Sequence, residues 1–187
     1  MHTPQIIQYG TLQRVTKMYL LSGALVLSGL MLCPALFPYR WNTSASVPIG
    51  LYRVQYGQPE AGALVAFCLP KDIALYAKGR GYIGFGFSCP GWTQELLKPI
   101  GAVAGDVVGI APEGVTVRGI FHTNTRVFEA DSEGREHHVW IETGSHVVPE
   151  GYVFFLSEYH PRSWDSRYFG FVETKNLAAM MEPVWTW

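Results

Sequence analysis

Two serines and one lysine stand in surroundings that suit nucleophilic catalysis. Ser44 and Ser46 lie two positions apart, and Pro48 with the glycine that follows it imposes a turn that presents one of the two hydroxyls outward. Lys98 stands alone among the apolar and small residues of 96–108. Burial lowers the pKa of a lysine amine, and a neutral amine within reach of a serine hydroxyl is a general base. The alternative is that the long side chain of Lys98 extends to solvent.

A short polar segment around residue 165 can support such a pair. Asp165 and Arg167 are natural ion-pair partners, and the hydroxyl of Ser163 can hydrogen-bond an amine. The three segments lie far apart in the sequence, so the fold has to bring them to one place.

The elements that must do this are mainly strands. Short segments rich in β-branched and aromatic residues, separated by Gly and Pro, predict a mostly β fold after residue 39. The predicted strands cover residues 50–54, 63–67, 95–100, 106–110, 115–121, 125–128, 139–141, 152–157 and 168–172. Only residues 173–181 have helical composition. Residues 111–151 combine hairpin signals with charges, so we expect a ribbon and loop excursion outside the main core.

An uncharged segment near the N-terminus predicts a single transmembrane helix. The 22 residues 18–39 carry no charge, and a helix of that length reaches about 33 Å, which crosses a hydrocarbon core. The alternatives are a cleaved signal peptide and a lipoprotein site at Cys33. However, the segment is longer than a signal-peptide core of about 7–15 residues. Pro34 also lies within the would-be cleavage motif, and bulky Leu32 precedes the cysteine.

The charges beside this segment predict its orientation. Arg14 and Lys17 precede it and only Arg40 follows closely, so the positive-inside rule favours a cytoplasmic N-terminus over residues 1–17. We therefore expect an exported β domain over residues 40–187.

Cys68 and Cys89 lie in the part of the chain that we expect to be exported, 21 positions apart. Disulfides form in oxidising compartments, so we favour a disulfide over two free thiols. The glycine-rich residues 78–86 between them predict a flexible lid or a solvent loop, not a phosphate-binding loop.

Composition and charge exclude two classes of protein. Hydrophobic residues make up 48% of the 187 residues, charged residues 16%, and the mean hydropathy is +0.10, which excludes an intrinsically disordered chain. A net charge of −1 argues against a general nucleic-acid binder. No ligand spacing suggests a metal site, and five histidines are interpreted as surface residues: His122, His137, His138, His146 and His160.

Together the three segments resemble the type I signal peptidase superfamily, membrane-anchored serine proteases with a Ser-Lys dyad. The nucleophile box of that family, Ser-x-Ser followed shortly by Pro, resembles residues 44–48. Its lysine box, with Gly-Asp seven and eight residues after the lysine, resembles residues 98–106, and its third box is similar to residues 162–170. The resemblance runs from about residue 40 to the C-terminus and implies a signal-peptidase-like β domain.

Departures from the housekeeping type resemble one branch of the superfamily. Val47, Pro99 and the segment 157–159 stand where a housekeeping signal peptidase usually has Met, Arg and Gly-Asp-Asn. The spacing Asn-x-Ser-x-Ser-x-Pro-x-Gly-x-Tyr at 42–52, the paired cysteines and Leu-Lys-Pro at 97–99 instead resemble the conjugative-transfer branch, the TraF-type peptidases. That branch matures the pilin of the mating apparatus, and some members join the cut end to the other terminus.

The resemblance implies a role for each residue of the dyad. Ser46 is the expected nucleophile and Lys98 its general base. The backbone N–H of Ser46 and the hydroxyl of Ser44 are expected to stabilise the oxyanion.

The third box is expected to support this pair. Ser163 resembles the residue that orients the lysine amine, while Asp165 and Arg167 are expected to hold the strand that carries it. A direct role for Asp165 stays open.

The resemblance therefore implies maturation of a pilin precursor, with cyclisation as a further implied step. The alternatives are a general type I signal peptidase that removes signal peptides from exported proteins and, from another class, an inactive membrane scaffold of a secretion channel. The expected place is the bacterial inner membrane, with a single pass and a periplasmic catalytic domain. The expected partners are the exported substrate, the lipid bilayer and subunits of the conjugation apparatus; no nucleic acid, cofactor or metal is expected.

Overall fold

The structure is a computed structural model that describes residues 5–31 and 38–187. Of residues 5–13, 30 and 31 it describes the backbone alone.

Two units make up the chain, Met1–Pro38 and Tyr39–Trp187. The first contains helix α1 (Gln5–Met31). Within the described residues, no helix combines the length and the apolar character that a membrane crossing requires. The anchor over 18–39 stays a prediction, and its residues 32–37 lie outside the described part of the chain.

The second unit, which is described throughout, consists mainly of antiparallel strands. In chain order its elements are β1 (Tyr39–Asn42), β2 (Gly50–Gln55), β3 (Leu64–Phe67), α2 (Lys71–Gly79), β4 (Phe85–Cys89), β5 (Leu96–Val103), β6 (Val107–Ala111), β7 (Gly114–Val117), β8 (Ile120–His122), β9 (Gly144–Val147), β10 (Tyr152–Phe155), α3 (Ser166–Phe169), β11 (Val172–Glu173), a 3₁₀ turn (Thr174–Asn176) and β12 (Leu177–Thr186). The expected mostly β fold is confirmed.

One sheet has seven strands in the order β1-β2-β12-β3-β5-β10-β11. The C-terminal strand β12 pairs antiparallel with β2 on one side and with β3 on the other. It therefore connects the β1–β2 hairpin to the strands that follow in the sheet. A second sheet has four strands in the order β8-β7-β6-β9. Strands β7, β8 and β9 lie within residues 111–151, where we expected an excursion, and β6 begins before that segment.

A hydrophobic core lies between the seven-stranded sheet and α2. The rings of Phe67 and Phe155 stack with their centroids 3.8 Å apart, and α2 buries Ile73, Ala74 and Ala77 against this cluster. Helix α2 begins after a proline, with Asp72 in its first turn and Lys78 in its last turn. Those charges complement the helix dipole, and the apolar face adds about 0.8 kcal/mol for each CH₂ group that it buries.

A second core joins the two sheets. Val108 and Ile110 of β6 and Val115 of β7 pack with Ala102 of β5 and Phe154 of β10. The alternation of buried and partly exposed residues along β5 and β6 places these side chains on one face. The four-stranded sheet is therefore fixed to the main sheet through apolar contacts.

Some predictions from local composition are wrong. Residues 125–128 and 139–141 form no strand, because no neighbouring strand pairs with them. Residues 168–172 contain the end of α3 and the first residue of β11 instead of one strand. The helix predicted at 173–181 is mostly strand β12, because pairing with β2 and β3 overrides its weak helical preference.

The segment predicted as one strand at 115–121 is a hairpin, β7–β8. Its turn residues Arg118 and Gly119 have φ values of 52° and 78°. Positive φ at both central residues is typical of the tight turns that match the twist of antiparallel strands.

Helix α2 and strand β4 were not predicted from the sequence: α2 ends at Gly79 and β4 begins at Phe85, so they occupy only the two ends of the glycine-rich segment 78–86. Glycine is required at position 86, since a Cβ there would lie 2.7 Å from the Cα of Gln94.

Candidate active site

Strand β5 carries Lys98 into the interior. Along this strand Leu96, Lys98, Ile100 and Ala102 are buried and their neighbours are partly exposed. Because strand side chains alternate with period two, Lys98 shares its face with three apolar residues. Its side chain is only 4% exposed, so the alternative of a lysine extending to solvent is wrong.

The loop between β1 and β2 carries Ser46. Asn42, the last residue of β1, donates its amide hydrogens to the carbonyl oxygens of Ser44 at 2.9 Å, Val47 at 3.4 Å and Pro48 at 3.1 Å. The hydroxyl of Tyr52 also donates to the carbonyl of Pro48. Residues 43–49, which we call the nucleophile turn, are therefore held by side chains of their own hairpin.

Lys98 lies between two serine hydroxyls. Its Nζ is in hydrogen-bond contact with Ser46 Oγ and lies 3.0 Å from Ser163 Oγ. The structure thus brings together three predicted residues from segments that are 52 and 65 positions apart.

Burial sets the charge state of this lysine. Loss of solvent around Lys98 lowers its pKa from 10.5 to about 8; the charge of Asp165 opposes the shift, and that of Arg167 adds to it. The neutral amine is the form that accepts a proton from a hydroxyl. At pH 7 roughly one site in ten carries the neutral amine.

Asp165 and Arg167 form a fully buried ion pair beside the site. Arg167 Nε lies 2.8 Å from Asp165 Oδ1, and Nη2 lies 2.9 Å from Oδ2. Arg167 Nη2 also donates to the carbonyl of Ser163 at 2.7 Å. Among the hydrogen bonds of the described residues, both Asp165 oxygens accept only from Arg167 and from the backbone N–H of Ser157. The contacts of Asp165 are those of a positioning residue.

The oxyanion donors differ in their availability. Within the described residues the backbone N–H of Ser46 donates no hydrogen bond, so it is free to face a developing oxyanion. The hydroxyl of Ser44 donates to Asn42 Oδ1 at 3.0 Å. Ser44 would have to turn away from Asn42 before it could stabilise an oxyanion.

A cavity of about 520 Å³ opens beside these groups and is large enough for several peptide residues. Ser44, Ser46, Lys98 and Ser163 line it. Asp165 and Arg167 do not, which agrees with their contacts. Other parts of the wall are apolar and come from β3, β5 and β12: Ala66, Leu97 and Met181.

A disulfide joins Cys68, just after β3, to Cys89 at the end of β4. Gly86 and Ser88 of β4 line the cavity. The disulfide therefore ties one cavity wall to the sheet that carries Lys98.

The interpretation of all five histidines as surface residues needs correction, because His122, His137 and His146 are half-buried. His137 is half-buried, its ring lies 4.3 Å from that of Tyr168, and burial lowers its pKa. It packs in the cavity wall because Tyr168 projects from the short helix α3. Within the described residues no group of His, Cys, Asp and Glu is arranged to hold a metal ion.

Three residues that contact the nucleophile turn escaped the sequence analysis as site residues. Asn42 and Tyr52 stand in the motif 42–52, but spacing alone does not reveal that they hold carbonyl groups. Ser157 donates its hydroxyl to the carbonyl of Ser46. The sequence marks this residue only by having Ser-Glu-Tyr at 157–159, where a housekeeping signal peptidase usually has Gly-Asp-Asn.

Comparison with known proteins gives a consistent result. Residues 12–187 match the sequence model of a family described as signal peptidase, peptidase S26. A plasmid transfer protein TraF from Escherichia coli is 35% identical over 179 residues, which cover 94% of this chain and 98% of that protein. A conjugal transfer protein TraF from Agrobacterium fabrum (strain C58 / ATCC 33970) is 35% identical over 178 residues, covering 93% of this chain and 97% of its own.

Among solved structures, the chain is similar to a signal peptidase I from Enterococcus faecalis V583. The match has 19% sequence identity and a TM-score of 0.38, and covers 67% of this chain and 98% of the other.

Proposed function

Because this chain belongs to the signal peptidase family, peptidase S26, we propose that it is a serine endopeptidase in which Ser46 is the nucleophile and Lys98 the general base. The observation that carries the proposal is the hydrogen bond between Lys98 Nζ, which is buried, and Ser46 Oγ. A depressed pKa of about 8 keeps part of the amine neutral near physiological pH.

The reaction follows from this arrangement. Lys98 Nζ accepts the hydroxyl proton as Ser46 Oγ attacks the carbonyl carbon of the scissile peptide bond. The Ser46 N–H stabilises the oxyanion, and loss of one such donor costs about 3 kcal/mol of barrier. The lysine ammonium then gives its proton to the leaving amine, and an acyl-enzyme on Ser46 remains.

A second nucleophile resolves the acyl-enzyme. Lys98 takes a proton from water, the hydroxide attacks the ester, and Ser46 recovers its proton as the acid leaves. An incoming amine in place of water would form a new peptide bond, which is the chemistry of cyclisation. Ser163 holds the Lys98 amine through both steps, and Asp165 with Arg167 holds the carbonyl of Ser163.

The chain is signal-peptidase-like and of the TraF conjugal transfer type. We propose that its substrate is the pilin precursor of a conjugative apparatus, and that cyclisation follows the cut. The further proposals concern location: an inner-membrane anchor over 18–39, a cytoplasmic N-terminus, and a periplasmic domain that works beside lipid and subunits of that apparatus. These rest on the sequence pattern and on the kind of relatives found.

The test is a processing assay with the full chain in detergent and a pilin precursor, read by mass spectrometry. Ser46→Ala and Lys98→Ala are each expected to slow processing by roughly 10⁴-fold or more, because the dyad acts as a unit. Ser145→Ala and Lys71→Ala, which change exposed residues, are the matched controls. Normal processing by either dyad variant would refute the proposed roles.

Two further measurements separate the finer proposals. A cyclic product has one water less than the linear hydrolysed peptide, so the mass of the product decides whether ligation follows. Cells that lack this gene should accumulate one precursor; accumulation of many would favour a general signal peptidase. Absence of processing by the wild type would favour an inactive scaffold.

A further inference from the structure

Ser157 lies two residues after the last residue of β10 and contacts the nucleophile turn from outside the β1–β2 hairpin. Its side chain is fully buried. Its hydroxyl donates to the carbonyl oxygen of Ser46 and accepts from the backbone N–H of Tyr159 at 3.3 Å. Its own N–H donates to Asp165 Oδ2 at 3.1 Å. The hydroxyl and the N–H of Ser157 thus link the carbonyl of Ser46 to the carboxylate of Asp165.

Apart from the contact of Ser46 Oγ with Lys98, the other hydrogen bonds of the turn come from its own hairpin and from Trp187 N–H, which donates to the carbonyl of Ile49 at 3.0 Å. Asn42 and Tyr52, which hold the carbonyls of Ser44, Val47 and Pro48, belong to β1 and β2. They fix the shape of the turn within its hairpin, but they do not fix its distance from β5 or β10. In the hydrogen bonds of the described residues, Ser157 supplies the direct bond between the turn and the segment 157–167.

Two chains of contacts therefore converge on Ser46. One runs from Ser163 through Lys98 to the hydroxyl of Ser46. The other runs from Asp165 through Ser157 to the carbonyl of the same residue. With both ends of Ser46 held, the distance between its Oγ and Lys98 Nζ is fixed.

The backbone around Ser157 is itself restrained. The next residue, Glu158, accepts hydrogen bonds from the Thr123 hydroxyl at 3.1 Å and, through its carbonyl, from the Asn124 amide at 3.1 Å. Its carboxylate also lies 2.9 Å from His122 Nδ1. The end of β8 and the two residues that follow it thus hold the backbone next to Ser157 in place.

We propose, resting on the function proposed above, that Ser157 is a positioning residue that sets the Ser46 hydroxyl against the Lys98 amine. Its hydroxyl touches neither substrate nor reacting atoms, and acts by fixing the peptide group of Ser46. Without it the Ser46 carbonyl loses its partner, and the peptide unit can rotate and carry Oγ away from Nζ. Displacements of about 1 Å at a reacting atom cost about 100-fold in rate.

The test compares Ser157→Ala with Ser166→Ala. Ser166 is an equally buried serine whose Oγ accepts a backbone hydrogen bond, from Phe155 N–H at 2.9 Å, and it does not contact the turn. Both variants therefore lose a buried hydroxyl and leave a backbone group unpaired. Ser157→Ala is expected to lower kcat by about 10- to 100-fold with KM nearly unchanged. The two variants are expected to lower Tm by similar amounts. Ser166→Ala should nevertheless keep kcat close to that of the wild type.

A pH profile distinguishes positioning from simple loosening of the site. In Ser157→Ala the alkaline plateau of kcat/KM should fall, while the midpoint stays near the wild-type value, which the lysine pKa of about 8 sets. A loosened site that admits water would instead move the midpoint toward the ordinary value of lysine.

Hydrogen exchange gives a measurement that does not depend on activity. Amides of residues 43–49 should exchange faster in Ser157→Ala than in the wild type or in Ser166→Ala. Equal exchange in all three, or a wild-type kcat in Ser157→Ala, overturns the inference. If the wild type processes nothing while exchange changes as expected, the proposed function fails and the positioning contact stands.

Discussion

Lys98 and Asp131 are both nearly buried, 4% and 8% exposed, but the two regions that hold them treat charge in opposite ways. Lys98 lies in the seven-stranded sheet, and its amine contacts two serine hydroxyls. Asp131 lies in the loop between β8 and β9 and lines another part of the same cavity. It accepts from Arg135 Nε at 2.7 Å and from the Tyr82 hydroxyl at 2.7 Å, and Arg80 lies 3.7 Å away.

The two surroundings produce opposite protonation behaviour. Burial lowers the pKa of Lys98, and hydroxyl partners cannot restore it. Burial alone raises the pKa of Asp131, but hydrogen bonds from Tyr82, Arg135 and the backbone of Glu133 hold it well below its usual range. A buried charge with an opposite charge beside it keeps its charged form, whereas one left with hydroxyls is shifted toward its neutral and reactive form, at a cost in stability.

The ion pair between Asp165 and Arg167 explains why the carboxylate of Asp165 does not restore the pKa of Lys98 to its ordinary value. Asp165 is engaged by Arg167 through two side-chain contacts. Its effect on Lys98 is opposed by that of the adjacent guanidinium. Of Lys98 and Arg167, only Arg167 contacts a carboxylate in the hydrogen bonds and ion pairs of the described residues, and Lys98 is the proposed base.

The largest expected effect on stability comes from breaking this pair. Asp165→Asn leaves Arg167 buried without a counter-charge, and should lower the free energy of unfolding by about 3–5 kcal/mol. Urea unfolding at pH 7 measures it. The control is Glu182→Gln, which breaks an exposed pair with Arg53 and should change stability by at most about 1 kcal/mol. Equal effects of the two variants would contradict this account of the buried pair.

Replacing the proposed base should stabilise the protein while abolishing processing. The folded pKa of Lys98 lies below the unfolded value, so below about pH 8 folding is penalised by the cost of burying or deprotonating the amine. Lys98→Met removes that penalty and should raise the free energy of unfolding at pH 7 by about 3 kcal/mol. The wild type should approach the variant as pH rises from about 8 toward 10.5.

Urea unfolding at pH 7 and at pH 10 tests this, with Lys71→Met as the exposed control, which should stay within about 0.5 kcal/mol. If Lys98→Met were less stable than the wild type at pH 7, the amine would raise the free energy of unfolding instead of lowering it, and this account would be wrong.

The sequence predicted the residues of the site better than the contacts that hold them. Ser46 and Lys98 could be found because a serine before a proline turn and a lone lysine in an apolar strand are local patterns. The strand predicted at 95–100 from composition corresponds to β5, although the alternation of buried and partly exposed residues along it appears only in the structure. Ser157 could not be found in this way, because its role depends on which carbonyl lies opposite it, 111 positions away.

The same limit explains the wrong elements. Strand Leu177–Thr186 exists because β2 and β3 leave a position between them, which its own composition does not reveal. Residues 139–141 have strand composition but no neighbour to pair with. Local preference predicts a strand only where the topology supplies a partner.

The smallest expected effect concerns Asp131. Asp131→Asn removes the charge that Arg135 and Arg80 contact, and should lower Tm at pH 7 with little change in the processing rate. Because the pKa of Asp131 is depressed in the folded protein, its contribution is present above the unfolded value and is lost as pH falls below about 4. The Tm values of variant and wild type should therefore converge in acid, while Glu133→Gln, which changes an exposed carboxylate, should alter Tm less at any pH. A contradicting result would be an Asp131→Asn variant that processes substrate as slowly as Ser157→Ala and has an unchanged Tm. Asp131 would then take part in the reaction, and the contrast between a paired structural charge and an unpaired reactive one would fail.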